Sequence, residues 1–162
     1  MKKFFLFVFA TMMSLAMMSQ DRVCYLVHNS GKVLGIGQDN RAVILNPDDA
    51  SLTKLNLTKQ SDDTYLISLE KNGTKLYLSL GTTNGWSTYF VTNSEDTRAH
   101  YTIEESGKYV KLKNVVTGGY LGTDETNNGS FVYSNKNGTD TKHRWKLSDT
   151  PVAEEVVETV CY

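Results

Sequence analysis

Residues 109–124, YVKLKNVVTGGYLGTD, contain the pattern that decides the fold. Val110 and Leu112 alternate with lysines, and the run then meets the glycine pair Gly118-Gly119, followed by Tyr-Leu and a third glycine. Alternation with a period of two is typical of a strand with one buried face, and paired glycines mark a turn. The stretch therefore predicts a strand, a turn and the start of a second strand.

Weaker copies of this phrase occur twice earlier, as YLVHNSGKVLGIG at residues 25–37 and YLISLEKNGTKLYLSLG at residues 65–81. The leucines that follow the three turns are spaced by 44 and 43 residues, at Leu34, Leu78 and Leu121. Each copy then ends on a bulky residue in a short strand-like run, with spacings of 46 and 44 residues, at Leu55, Tyr101 and Trp145. Two independent markers with the same period predict three structural repeats.

The residue pattern within each repeat is typical of β-structure. Tyr65, Ile67 and Leu69 alternate with their neighbours, and helical periodicity is missing from residues 22–148. The dipeptide Asn-Gly, which tolerates the positive φ angles of tight hairpins, occurs at residues 72–73, 84–85, 128–129 and 137–138. These signals predict an all-β chain with about four short strands in each repeat.

Three repeats of this length, each with four strands and a bulky closing residue, resemble the β-trefoil. The third repeat carries most of the likeness: its Lys-Asn, Gly-Tyr-Leu turn and closing Trp145 are similar to a ricin B-type lectin repeat, which opens on KN…SGKYL and closes on QxW. A fascin-like repeat is a related possibility. The resemblance implies that the three repeated leucines and the three closing residues form a core around a pseudo-threefold axis.

Ricin-type sugar sites use an Asp after the Tyr-Leu turn, an aromatic residue on the third strand, and the Gln of QxW. No repeat of this chain carries the full set. The Asp positions hold Gly35, Ser79 and Gly122, and the Gln positions hold Thr53, Ala99 and His143.

Other side chains near these positions could still bind a ligand. The third repeat offers Asp124, Tyr133 and Asn135, and the second offers Trp86 and Tyr89. Trp86 follows an Asn-Gly pair at an expected hairpin tip, where an exposed aromatic side chain indicates contact with a partner. The alternative is that the strand aromatics only cover the barrel, since β-structure favours them.

The first twenty of the 162 residues have the pattern of a secretory signal peptide: Lys2 and Lys3, an apolar run, then small residues before the junction at Ser19-Gln20. We divide the chain into this peptide (1–20), the trefoil domain (21–148) and a C-terminal tail (149–162). The expected location is outside the cytoplasm of a bacterium, either secreted, periplasmic or at the cell surface. No second apolar stretch follows that could span a membrane.

The two cysteines, Cys24 and Cys161, lie near the two ends of the mature chain. In an oxidising compartment they are expected to form one disulfide that ties the tail to the domain. Lipid attachment at Cys24 is the rival hypothesis, but the preceding Asp-Arg-Val lacks the small residues that such attachment requires.

The charge and the histidine positions argue against two classes of function, nucleic acid binding and metal binding. The chain has 17 basic and 18 acidic residues, so loss of Lys2 and Lys3 leaves 15 against 18 and a net charge of −3. No basic run indicates a nucleic acid partner. His28, His100 and His143 lack metal-ligand spacing and are expected on the surface or half-buried.

We therefore expect a non-catalytic, monomeric binding module with no cofactor. The leading hypothesis is a carbohydrate-binding module with a degenerate ricin-type site. The alternatives are a protease inhibitor that presents rigid loops to a secreted protease, and a protein-binding scaffold.

Overall fold

A computed structural model describes residues 21–81, 86–136 and 141–152, except for the side chains of residues 135 and 136. Twelve strands fall into three groups of four. The first repeat contains β1 (Arg22–His28), β2 (Val33–Ile36), β3 (Ala42–Leu45) and β4 (Leu55–Lys59). The second contains β5 (Tyr65–Lys71), β6 (Thr74–Leu80), β7 (Thr88–Val91) and β8 (His100–Ser106). The third contains β9 (Tyr109–Asn114), β10 (Tyr120–Gly122), β11 (Tyr133–Lys136) and β12 (Trp145–Ser148).

Three short 3₁₀ turns complete the regular structure of the described residues, at Gln38–Asn40, Thr97–Ala99 and Thr141–His143. No helix in this part of the chain is long and apolar enough to cross a membrane. The predicted signal peptide (1–20) and most of the predicted tail lie outside the described residues, so these two domain boundaries stay predictions.

Six strands close into an antiparallel barrel. β1 pairs with β4, β4 with β5, β5 with β8, β8 with β9, β9 with β12, and β12 returns to β1. The other six strands form three hairpins, β2–β3, β6–β7 and β10–β11, one from each repeat. A closed barrel with a triplet of hairpins is the β-trefoil that the repeats predicted.

The residues that marked the repeats are buried in one hydrophobic core. Leu34, Leu78 and Leu121 come from the first strand of each hairpin, and Leu55, Tyr101 and Trp145 from the last strand of each repeat; none is more than 1% exposed. Burying side chains of this size contributes about 1.5–3 kcal/mol each to the free energy of unfolding.

Turn chemistry explains two of the connections. Asn72 and Gly73 form the two-residue turn between β5 and β6, with φ angles of 52° and 78°. Positive φ at both positions matches the twist of a tight hairpin, as the Asn-Gly pair predicted. In the turn between β9 and β10, Gly118 has a φ of 65° and the Asn114 side chain accepts hydrogen bonds from the Val116 and Thr117 amides.

Candidate functional site

The three hairpins meet through a closed ring of β-bridges. Arg41 pairs with Tyr89, Ser87 pairs with Tyr133, and Phe131 pairs with Val43. Each bridge joins one repeat to another, and the three together return to the starting repeat. The ring therefore surrounds the pseudo-threefold axis at the hairpin end of the barrel.

The six bridge residues occupy two sets of equivalent positions. The first set precedes the second strand of each hairpin and consists of Arg41, Ser87 and Phe131. The second set lies two residues further along the chain and consists of Val43, Tyr89 and Tyr133. The fold is symmetric here but the side chains are not. One cation and three aromatic rings thus lie together, with Arg41 from the first repeat, Tyr89 from the second, and Phe131 and Tyr133 from the third.

Two large apolar side chains at this end of the molecule are open to solvent. Trp86 is 49% exposed and Phe131 is 44% exposed, whereas Tyr89, Tyr133 and Arg41 are half-buried. Trp86 directly precedes Ser87, and its carbonyl oxygen accepts a 3.0 Å hydrogen bond from the Ser134 amide. We call Arg41, Trp86, Tyr89, Phe131 and Tyr133 the axial site.

Arg41 ties the aromatic rings together. Its guanidinium carbon lies 3.6 Å from the centroid of the Phe131 ring, 5.3 Å from that of Tyr89 and 6.0 Å from that of Tyr133. A cation over an aromatic face is attracted by the electron density of the ring, and the attraction is stronger when the pair is shielded from water. These contacts place rings from the second and third repeats around one charge from the first.

A close approach of backbone to ring fixes Tyr89. A Cβ added at Gly81 would lie 2.6 Å from Cε2 and 2.9 Å from Cδ2 of Tyr89, which is shorter than van der Waals contact. The Gly81 amide also donates a 2.7 Å hydrogen bond to the Ser87 carbonyl and so closes the β6–β7 hairpin. Any side chain at position 81 would displace the Tyr89 ring from this place, because the ring occupies the space of a Cβ.

A second set of backbone bonds docks the β10–β11 connection on β3. Val132 donates to the Ala42 carbonyl, Gly129 donates to the Ile44 carbonyl, and Ile44 donates to the Ser130 carbonyl, at 2.7–3.0 Å. Phe131 lies within this docked segment. Its exposed ring is therefore held at a defined place beside Arg41.

A buried polar network supports the site from inside the barrel. Ser134 Oγ lies 3.0 Å from Thr88 Oγ1 and 2.9 Å from Tyr101 OH, and all three residues are buried. Burial raises the pKa of Tyr101 to about 12, although hydrogen bonds from Ser134 and Asn114 act in the opposite direction. Ser134 occupies the position equivalent to Ile44 in the first repeat and Phe90 in the second, which lie beside the repeated leucines. A polar network thus replaces an apolar side chain in the third repeat.

Three of the five ligand-binding candidates belong to the axial site: Trp86, Tyr89 and Tyr133. Asp124 lies in the exposed loop after β10, where the neighbouring Thr123 amide donates to the Lys142 carbonyl. Among the described residues, no β-bridge joins this loop to the axial ring. Asn135 lies on β11, and its side chain is outside the described part.

The positions at which a ricin-type repeat has its Asp are not on the surface. Gly35, Ser79 and Gly122 are all buried. A Cβ added at Gly35 would come within 2.7 Å of Leu45 Cδ1. An Asp at that position would place a carboxylate against apolar side chains, which costs free energy.

The expectation that the three histidines lie on the surface or are half-buried was wrong for two of them. His28 and His143 are 3% and 2% exposed. The His28 ring lies edge-on to Trp145, with 5.0 Å between centroids, and its nitrogens bond Ser30 Oγ and the Lys142 carbonyl. Burial lowers the pKa of His28. No group of three potential metal ligands occurs within residues 21–81, 86–136 and 141–152.

Cys24 has a free thiol in the described structure and is fully buried on β1. Its burial raises the pKa of the thiol to about 11. Cys161 lies outside the described residues, so the disulfide between them stays a prediction.

Sequence reasoning missed Arg41 and Phe131. Neither residue stands out in its own segment, where Arg41 opens an apolar strand and Phe131 follows a turn. A comparison of equivalent positions in the three repeats could have identified both residues. Both residues lie three positions before the core position of the second hairpin strand, as Ser87 does in the second repeat.

Solved structures share this fold at low sequence identity. The designed threefold-symmetric protein ThreeFoil matches with 18% identity and a TM-score of 0.65, over 78% of this chain and 97% of ThreeFoil. A Polyporus squamosus lectin bound to the epitope Neu5Acα2-6Galβ1-4GlcNAc matches with 15% identity and a TM-score of 0.66, over 79% of this chain and 49% of the lectin. The botulinum neurotoxin serotype D binding domain matches with 14% identity and a TM-score of 0.65, over 82% of this chain and 42% of that domain.

No protein-family model and no curated protein matches the chain. The chain spans about half of the lectin and less than half of the neurotoxin domain. Identities this low establish the architecture alone. The chain has a β-trefoil fold.

Proposed function

We propose that this protein is a non-catalytic carbohydrate-binding module that acts outside the cell and binds its ligand at the axial site. The observation that carries the proposal is the exposure of Trp86 and Phe131 on a rigid ring of three hairpins. A cluster of exposed large apolar side chains marks a surface that contacts a ligand or a partner. Here the hairpins that present them are already fixed by inter-repeat hydrogen bonds.

The residue types suit a sugar. The faces of aromatic rings carry partial negative charge and attract the C–H groups on the apolar face of a pyranose. Ligand sites combine such apolar area with a few polar groups that set orientation. The axial site has both, because the Arg41 guanidinium lies beside the rings and two of these rings belong to tyrosines.

The lectin and the neurotoxin binding domain are binding proteins by their names, which supports a binding role for a chain with their fold. The predicted signal peptide supports a location outside the cytoplasm. The site is on the axis rather than at the three lobe positions where a ricin-type repeat has its Asp, because those positions are buried here.

A glycan array tests the proposal. The wild-type domain should bind a subset of glycans, and Trp86→Ala or Phe131→Ala should weaken that binding at least about tenfold, or about 1.4 kcal/mol. Tyr109→Ala is the matched control, since Tyr109 is a half-buried aromatic residue at the start of β9 and is not part of the axial site. Circular dichroism verifies that each variant is folded.

Inhibition assays against a panel of secreted cysteine, serine and metalloproteases test the alternative hypothesis that the protein is a protease inhibitor. An exposed aromatic patch also suits a protein partner, since aromatic residues are enriched at interfaces. If the wild-type protein binds no glycan but inhibits one of these proteases, the carbohydrate proposal is wrong and the inhibitor hypothesis replaces it.

A further inference from the structure

Arg41 is a cation without an anion. Among the described residues its guanidinium makes neither a hydrogen bond nor a salt bridge, and its Nε is buried without a partner. Arg98 and Arg22 differ, because they pair with Asp96 and Asp149. A buried donor without an acceptor is costly. Arg144 shares this feature, so Arg41 is distinguished by the three aromatic rings of the axial site around its charge.

The surroundings of Arg41 strengthen its attraction for an anion. The other five residues of the bridge ring are Val43, Ser87, Tyr89, Phe131 and Tyr133, and none is acidic. The Phe131 ring shields the guanidinium on one face at 3.6 Å. Electrostatic attraction increases where rings replace water around a charge. Stacking engages the face of the guanidinium and leaves its N–H edge to form hydrogen bonds.

The nearest acidic residue in sequence does not neutralise Arg41. Asp39 lies two residues away in the turn between β2 and β3, where it is exposed and forms no salt bridge with Arg41. The neighbouring Asn40 side chain accepts a hydrogen bond from Lys71 instead. The positive charge of the axial site is therefore available to a ligand.

From this geometry we infer that the ligand of the axial site is an acidic sugar, a pyranose with a carboxylate. The inference rests on the function proposed above and names the class of its ligand. The Nη groups of Arg41 donate to the two carboxylate oxygens, a pairing for which the planar guanidinium is well suited. Trp86 and Phe131 contact the apolar face of the sugar ring. A neutral sugar offers hydroxyl oxygens to the guanidinium but no negative charge to balance it.

The test compares three forms of one oligosaccharide: a terminal uronic acid, its methyl ester, and the corresponding neutral hexose. Isothermal titration calorimetry with the wild-type domain should give at least a tenfold lower Kd for the acid than for the ester or the hexose. The acid should also bind more weakly as salt concentration rises, since screening reduces the attraction. This comparison needs no variant and so does not depend on the folding of one.

Variants then assign the effect to Arg41. Arg41→Gln should bring the Kd of the acid close to that of the ester, while Arg41→Lys should retain part of the preference because it keeps the charge. Arg144→Gln is the matched control. Arg144 also has a buried Nε without a partner, but its guanidinium lies over Tyr109, 6.0 Å from the ring centroid. It should leave the preference unchanged.

The outcomes separate the two proposals. If acid, ester and hexose bind equally and Phe131→Ala abolishes binding of all three, the module binds sugars but the acidic ligand is wrong. A preference for the acid that persists in Arg41→Gln also overturns the inference. Failure of this series together with silence across a broad glycan array overturns both the inference and the function on which it rests.

Discussion

The two tryptophans give the sharpest test of the repeat assignment. Trp145 is fully buried at the end of the third repeat, and its Nε1 donates a 2.9 Å hydrogen bond to the Leu121 carbonyl. Trp86 is 49% exposed. Replacing each by alanine removes the same atoms from opposite environments.

The expected magnitudes follow from burial. Trp145→Ala should lower the free energy of unfolding by roughly 3–5 kcal/mol, through lost transfer energy and a cavity in the core. The Leu121 carbonyl also loses its donor, which places the value near the upper end of that range. Trp86→Ala should change the free energy by no more than about 0.5 kcal/mol.

Urea unfolding followed by far-ultraviolet circular dichroism measures both values, because that signal comes mainly from the backbone and remains when a tryptophan is removed. A midpoint for Trp145→Ala close to that of the wild type would refute the reasoning. So would equal destabilisation by the two substitutions, since the structure gives the residues opposite burial.

Three further predictions concern individual residues. Gly81→Ala should weaken ligand binding at least about tenfold, because the added methyl displaces the Tyr89 ring; calorimetry checks this, and unchanged affinity would contradict it. In the reduced native protein, Cys24 should resist alkylation at pH 8, since burial raises its pKa to about 11, and should react after unfolding. Mass spectrometry distinguishes alkylation of Cys24 from alkylation of Cys161. Rapid alkylation of Cys24 in the native protein would contradict the burial of its thiol. Because the pKa of Tyr101 is raised to about 12 in the fold, its contribution to stability is present below pH 10 and is lost as pH rises from 10 to 12, by about 1.4 kcal/mol per unit. Tyr101→Phe should flatten that part of the unfolding curve, and an identical pH dependence would contradict the assignment.

Repetition made the fold predictable from sequence. Leu34, Leu78 and Leu121 recur at a near-constant period because each fills the same place in the core. The Asn-Gly pair at residues 72–73 likewise predicted its hairpin, since its backbone conformation is a local property. Burial and turn chemistry leave direct marks on the sequence.

The axial site was only partly predictable. Tyr89 and Tyr133 were candidates because aromatic residues on strands attract attention, but Arg41 and Phe131 acquire their role from bridges between distant repeats. The burial of His28 has a similar origin, because its partner Trp145 comes from the opposite end of the chain. Contacts across repeats depend on how the barrel closes, and no single segment records them.

Nuclear magnetic resonance of the two indole N–H groups tests the central claim most directly. The domain is labelled with ¹⁵N and titrated with an oligosaccharide ending in a uronic acid. The account predicts that the Trp86 indole signal shifts progressively to saturation while the Trp145 signal, buried in the core, stays in place. Saturable binding that leaves Trp86 unmoved and shifts only the amides of the loop around Asp124 would contradict it.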